Sequence, residues 1–106
     1  MTAVRLDLPE EILRLAELPY EGVRDLQGVV IAIEGINVTA SVITLATLKQ
    51  YAPALASAIR RWRLRQDTKP LTLTVRGDGI SIKIDLPPNV STGQLLDQLS
   101  PLLERD

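Results

Sequence analysis

One amphipathic helical segment constrains the fold of this chain more than any other feature. Apolar residues recur between Leu45 and Trp62 at alternating steps of three and four, the spacing of one helix face. They are Leu45, Leu48, Ala52, Leu55, Ile59 and Trp62. The stretch from Ala52 to Gln66 begins with alanines, which favour a helix, and ends in four arginines around the only tryptophan. A helix with one bulky apolar face predicts packing against a sheet, with Trp62 in the core.

Pro53 leaves the extent of this helix open. Proline inside a helix removes a backbone donor and crowds the preceding turn, whereas at the first helical position it is tolerated. The pattern fits a long helix from about Thr39 to Gln66, kinked near Lys49, or a shorter helix followed by a second from Ala52. Residues 36–50 carry both signals, because Val, Thr and Ile favour a strand while length and the apolar face favour a helix. We predict a helix from about Thr39.

The first third of the chain predicts two strands around a short helix. Thr2–Leu8 alternates apolar and polar residues, as a strand with one wet face does. Pro9 and two glutamates then indicate a helix start, and Pro19 ends that helix. Tyr20–Gln27 is polar and predicts a loop. Val29–Ile33 is a continuous branched apolar run, which is typical of a buried central strand.

The last third predicts a β-hairpin and a final helix. Leu71–Arg76 and Ile80–Leu86 both alternate apolar and polar residues, and Gly77-Asp78-Gly79 between them is a strong turn signal. Ser91 and Gln94 form a capping-box pattern that starts a leucine-rich helix, which Pro101 is expected to kink or break.

This order of elements predicts a two-layer α+β fold. Helices separate the first strands, while a tight turn joins the last two, so the sheet should be mixed. We expect about four strands, with a β-hairpin in the C-terminal half, packed against two or three helices. At 106 residues the chain should be one small domain, 1–106.

The composition excludes much catalytic chemistry. The chain has no Cys and no His, so disulfides, thiolate or imidazole metal sites and Ser-His or Cys-His nucleophile pairs are impossible. No phosphate-binding glycine loop is present. We therefore expect no enzyme, no catalytic residue and no metal or other cofactor. With no Phe and only 3% aromatic residues, the core should be aliphatic.

The candidate partner-binding residues are the arginines Arg60, Arg61, Arg63 and Arg65. Residues 49–69 hold six basic residues and one acidic residue, although the net charge of the chain is −1. The cluster could steer an acidic protein, serve a small-ligand or nucleic-acid binding module, or be a solvated helix end that suits the helix dipole. The negative net charge and the single interleaved aromatic residue argue against nucleic acid.

Two further surfaces bear on partners and location. A free sheet edge offers unpaired backbone groups that suit a partner strand or a homo-oligomer. Residues 28–48 are long and apolar enough to suggest a membrane-associated subunit, but the charge of Glu34 lies within them and argues against a span. No signal peptide pattern is visible, so a cytoplasmic protein is expected.

The region from about Ala40 to Leu103 resembles the effector-associated constant component family of bacterial conflict systems. The resemblance is carried by ALASAIRRWRLRQ (Ala54–Gln66), the Asp-Gly hairpin LTLTVRGDGISIKIDL (Leu71–Leu86) and LLDQLSPLL (Leu95–Leu103). It implies a small non-enzymatic adaptor that couples a sensing or NTPase module to an effector such as a protease. The family provides no catalytic motif, so the resemblance assigns no functional residue.

Overall fold

The structure, a computed structural model, describes residues 3–18, 28–34, 38–67, 69–77 and 79–104. These residues form β1 (Ala3–Leu8), α1 (Glu10–Ala16), β2 (Val29–Ile33), β3 (Thr39–Thr44), α2 (Leu45–Leu64), β4 (Thr72–Gly77), β5 (Ile80–Asp85) and α3 (Thr92–Leu103). The predicted α+β architecture is confirmed, with a mixed sheet packed against helices. The predicted loop Tyr20–Gln27, the helix stop at Pro19 and the turn residue Asp78 lie outside the described residues.

The five strands form one sheet in the order β3-β1-β2-β4-β5. β1 and β2 are parallel, and α1 lies between them in the chain, as a crossover connection requires. The other neighbours are antiparallel, including the β4–β5 hairpin that the glycine-rich turn predicts. The described part of the sheet therefore has two edges, β3 and β5.

The core lies between one face of the sheet and the helices. Alternate residues of β1 are fully buried, namely Val4, Leu6 and Leu8, while Arg5 is exposed on the other face. The predicted core residues of α2, Leu55, Ile59 and Trp62, are buried in the same cluster as Leu73 and Ile84 of the hairpin. Ile82, also on the edge strand β5, is only half-buried. α2 packs against both α1 and α3 and so joins the helical layer together.

The prediction of a helix from Thr39 is wrong, because residues 39–44 form a strand, β3. This segment is rich in β-branched residues, whose side chains lose rotamer freedom in a helix and fit a pleated sheet. β3 pairs along its whole length with β1, from Thr39 opposite Leu8 to Thr44 opposite Ala3. Within the described residues, the sheet therefore has one strand more than the sequence predicted.

α2 begins directly after β3 and is one continuous helix. The Thr44 side chain accepts a hydrogen bond from the backbone N–H of Thr47 at 3.1 Å, which caps the helix. Pro53 lies inside the helix with its ring exposed. The alternative of two helices separated near Lys49 is therefore wrong. α3 likewise continues through Pro101 to Leu103, so Pro101 does not break it.

The capping box of α3 and the close packing at one end of the sheet follow from local sequence. The backbone N–H of Gln94 donates to Ser91 Oγ at 3.1 Å, and the backbone N–H of Ser91 donates to Gln94 Oε1 at 3.0 Å. Gly77 has φ +127°, and a Cβ there would collide with the carbonyl oxygen of Gly28. Only glycine lets β4 approach the start of β2 this closely.

The segment 28–48 does not form a single helix. Its described residues are divided between β2, β3 and the first turn of α2. Across the described part of the chain, no helix has both the length and the apolar character needed to cross a membrane.

Candidate protein-binding surface

The C-terminal end of α2 places the four candidate arginines in three different environments. Arg60 and Arg61 are exposed on the helix surface, while Arg63 is buried. Arg65 follows the helix as its C-cap and forms an ion pair with Glu11 of α1. The cluster that the sequence presents as one unit is therefore divided by the geometry of the helix.

Arg63 has a structural position rather than a surface one. It is 1% exposed, and its guanidinium donates three hydrogen bonds to backbone carbonyl oxygens. Nε donates to Leu86 O at 2.6 Å, Nη1 to Asp67 O at 2.8 Å and Nη2 to Lys69 O at 3.0 Å. These bonds hold the end of α2 against the following loop and against the chain after β5. Because the side chain is buried and its guanidinium already donates three hydrogen bonds, Arg63 is not available to a partner.

Helical spacing explains why Arg63 differs from its neighbours. It lies four residues after Ile59 and eight after Leu55, on the buried face of α2. Arg60 and Arg61 lie on the opposite face. The spacing was therefore a signal that could have separated Arg63 from the exposed arginines.

Among the exposed arginines that the structure describes, Arg60 and Arg61 differ from the others because no described residue is their counter-ion. Arg5, Arg14, Arg65 and Arg76 form ion pairs with Asp7, Glu10, Glu11 and Glu34. In contrast, Arg60 and Arg61 form no hydrogen bond or ion pair with any of the described residues. No described residue therefore neutralises their charge.

Leu64 lies beside these two arginines and is 58% exposed. It is four residues after Arg60 and three after Arg61, so the three side chains share one face of the helix. We call Arg60, Arg61 and Leu64 the cationic patch. The rest of this face is uncharged, with Ala46, Gln50 and Pro53 exposed and Ser57 half-exposed. An apolar side chain between two arginines suits an acidic surface that carries an aliphatic group.

A shallow pocket lies beside Arg63, at the end of the β4–β5 hairpin where β4 begins and β5 ends. Its volume is about 260 Å³, and it is lined by Arg63, Pro70, Leu71, Thr72, Asp85, Leu86, Pro87 and Pro88. Most of this lining is aliphatic or proline, and the guanidinium nitrogens of Arg63 already donate to backbone carbonyls. Besides Arg63, only Asp85 and Thr72 contribute polar side chains to this lining, so the pocket offers a small ligand mostly apolar contacts.

The described residues contain no group of three or more His, Cys, Asp or Glu side chains that could hold a metal ion. The fold and this surface define the class as a small α+β domain with an exposed cationic patch. No family model, characterised protein or solved structure matches the chain.

Proposed function

We propose that this protein is a non-enzymatic adaptor that binds an acidic protein partner through the cationic patch. The observation that carries the proposal is the pair Arg60 and Arg61, which are exposed and have no counter-ion among the described residues, beside the exposed Leu64. The absence of His and Cys from the sequence supports a role in binding rather than catalysis.

The chemistry of the patch favours a protein over nucleic acid. Two exposed arginines that no described residue neutralises, on a chain of net charge −1, would make few phosphate contacts. Leu64 would contact an aliphatic side chain of the partner, while the arginines meet its carboxylates. Exposed charges of this kind mainly raise the rate of association, and the buried apolar contact slows dissociation.

The resemblance to the effector-associated constant component family supports the same proposal. It adds that the protein works in the cytoplasm of a bacterium, within a conflict or signalling system. The partner would then be an effector such as a protease, or an NTPase module. Arg65 contributes less than Arg60 and Arg61, since Glu11 already neutralises it.

The experiment starts from a partner isolated with the tagged protein from its bacterial host and then purified. Association rates are measured across a range of salt concentrations for Arg60→Glu/Arg61→Glu. The matched control is Arg14→Glu/Arg76→Glu, which changes the net charge equally at two exposed arginines that have ion-pair partners. We expect the patch variant to associate on the order of tenfold more slowly at low salt, with the difference shrinking at high salt.

Equal association rates for the two double variants at low salt would contradict the proposal. Leu64→Ala should mainly speed dissociation, because it removes the apolar contact and leaves the charges. Salt-dependent retention of the protein on DNA, lost in Arg60→Glu/Arg61→Glu, would instead favour the nucleic-acid alternative.

A further inference from the structure

β5 is a sheet edge whose backbone groups are available on one side. Among the described residues, β5 pairs only with β4. Gly77 and Ile80 pair next to the hairpin turn, and the pair beside a two-residue turn exchanges hydrogen bonds. Alternate pairs along the ladder do the same, and Leu86 N–H donates to Leu71 O at 3.0 Å, as this pattern requires. The backbone N–H and C=O groups of Ser81, Lys83 and Asp85 therefore point away from the sheet.

The side chains of β5 form two sets. Ser81, Lys83 and Asp85 are exposed on the face of the sheet opposite the core. Ile80 and Ile82 lie on the core side but stay half-exposed, whereas Ile84 is fully buried. The outer side of β5 thus combines backbone groups that no described strand pairs with, two partly exposed isoleucines, and the opposite charges of Lys83 and Asp85.

The opposite edge, β3, offers less. Its residues Ser41, Val42 and Ile43 are all buried, so both faces of that strand are covered. An added strand at β3 would therefore gain little side-chain contact. Of the two edges, β5 is the one that another strand could extend.

We infer that β5 pairs antiparallel with β5 of a second copy of this chain, about a two-fold axis through Ile84. In this register Lys83 of each copy faces Asp85 of the other, and Ile82 lies at the same level as Leu86, which is already buried in its own chain. The Lys83–Asp85 pairs are formed by residues whose backbone groups point outward, so each pair exchanges two hydrogen bonds across the interface. Pro87 and Pro88 follow β5 and limit the pairing at that end, since proline has no N–H to donate.

Charge selects this register from the neighbouring two-fold arrangements. An axis through Lys83 would place the two Lys83 side chains opposite each other, and like charges directly opposite destabilise a strand pair. An axis through Ile82 would place Lys83 opposite Ser81 and Asp85 opposite Gly79, with no directly opposed ion pair. An axis through Asp85 would place the two Asp85 side chains opposite each other, so only the axis through Ile84 gives both charges an opposite partner.

The test measures self-association by sedimentation equilibrium, from micromolar to millimolar protein. In a dimer of Lys83→Asp, the aspartate at position 83 of each copy faces Asp85 of the other. In a dimer of Asp85→Lys, the lysine at position 85 of each copy faces Lys83 of the other. Each variant alone should associate at least about tenfold more weakly than the original chain. An equal mixture of the two should regain the original association, because the mixed dimer restores both opposite-charge pairs.

Several outcomes would overturn this inference. The original chain could stay monomeric at all concentrations, the single variants could associate normally, or the mixture could fail to regain association. Circular dichroism of each variant checks that the fold is retained. Arg60→Glu/Arg61→Glu should self-associate like the original chain, because the cationic patch lies on α2 and not on β5. Failure of the proposed partner binding therefore remains distinguishable from failure of this dimer.

Discussion

The guanidinium of Arg63 donates hydrogen bonds to three backbone carbonyl oxygens, and among the described residues no carboxylate accepts a hydrogen bond from it. A buried charge is tolerated when its donors are used, and the planar fork of arginine can reach three acceptors that belong to separate parts of the chain. The sequence predicted a cationic cluster but grouped Arg63 with its exposed neighbours. Its partners, at Asp67, Lys69 and Leu86, could not be predicted, because the path of the loop after α2 depends on tertiary packing.

Replacing Arg63 by methionine should lower the free energy of unfolding by about 2–4 kcal/mol, because one buried and two partly buried hydrogen bonds from the guanidinium to backbone carbonyl groups are lost. Arg63→Lys should recover little, since one ammonium cannot reach all three acceptors. Urea unfolding followed by circular dichroism measures the difference. Arg61→Met on the exposed face is the control and should change stability by less than about 0.5 kcal/mol. Equal effects at the two positions would show that the Arg63 hydrogen bonds contribute no net stability.

Among the elements, β3 and α2 show which structural features can be predicted from local sequence pattern and which cannot. The hairpin, the capping box and the buried face of α2 follow from spacing alone, and all three are confirmed. The boundary between β3 and α2 at Thr44 does not follow from spacing. In residues 36–50 the apolar spacing of a helix overlaps with the branched residues of a strand. Pairing of β3 with the distant strand β1, from Leu8 opposite Thr39 to Ala3 opposite Thr44, decides the conformation of residues 39–44.

Pro53 gives a test of how α2 tolerates a residue unsuited to a helix interior. Because Pro53 is exposed and lacks an N–H, Pro53→Ala should restore one helical hydrogen bond without disturbing the core. The free energy of unfolding should rise by about 1–3 kcal/mol. Thermal and urea unfolding measure it, with Gln50→Ala, one turn earlier on the exposed face, as the control. A loss of stability would mean that the proline shapes α2 for packing against α1 and α3.

At the scale of the whole molecule, one aliphatic core joins the sheet to all three helices. The sequence predicted two layers and a mixed sheet because alternating strands and an amphipathic helix leave few other arrangements. The strand order β3-β1-β2-β4-β5 could not be predicted from the sequence. It depends on the edges of the β1–β2 pair that β3 and β4 join, and local sequence pattern does not determine this. The exposed arginines of the candidate surface could be predicted from the sequence. That no described residue is a counter-ion of Arg60 or Arg61 could not, because it depends on the positions of Glu10, Glu11 and Glu34.

Leu55 tests whether this core is continuous. Leu55 is 1% exposed, so Leu55→Ala should leave a cavity and lower the free energy of unfolding by about 2–5 kcal/mol. Leu64→Ala makes the same substitution on the exposed face of the same helix and should change stability by less than about 0.5 kcal/mol. Urea unfolding measures both variants. A loss well under about 1 kcal/mol for Leu55→Ala would place that face of α2 outside the core.

Trp62 gives the protein an internal optical reporter. It is the only tryptophan in a chain without phenylalanine, and it is 3% exposed among aliphatic side chains. When tryptophan is excited selectively over the two tyrosines, the fluorescence comes from a single site in the core, and its emission should shift to longer wavelength when unfolding brings the indole into water. Neither the cationic patch nor the outer side of β5 includes Trp62. Its emission should follow folding and remain unchanged when either surface is occupied.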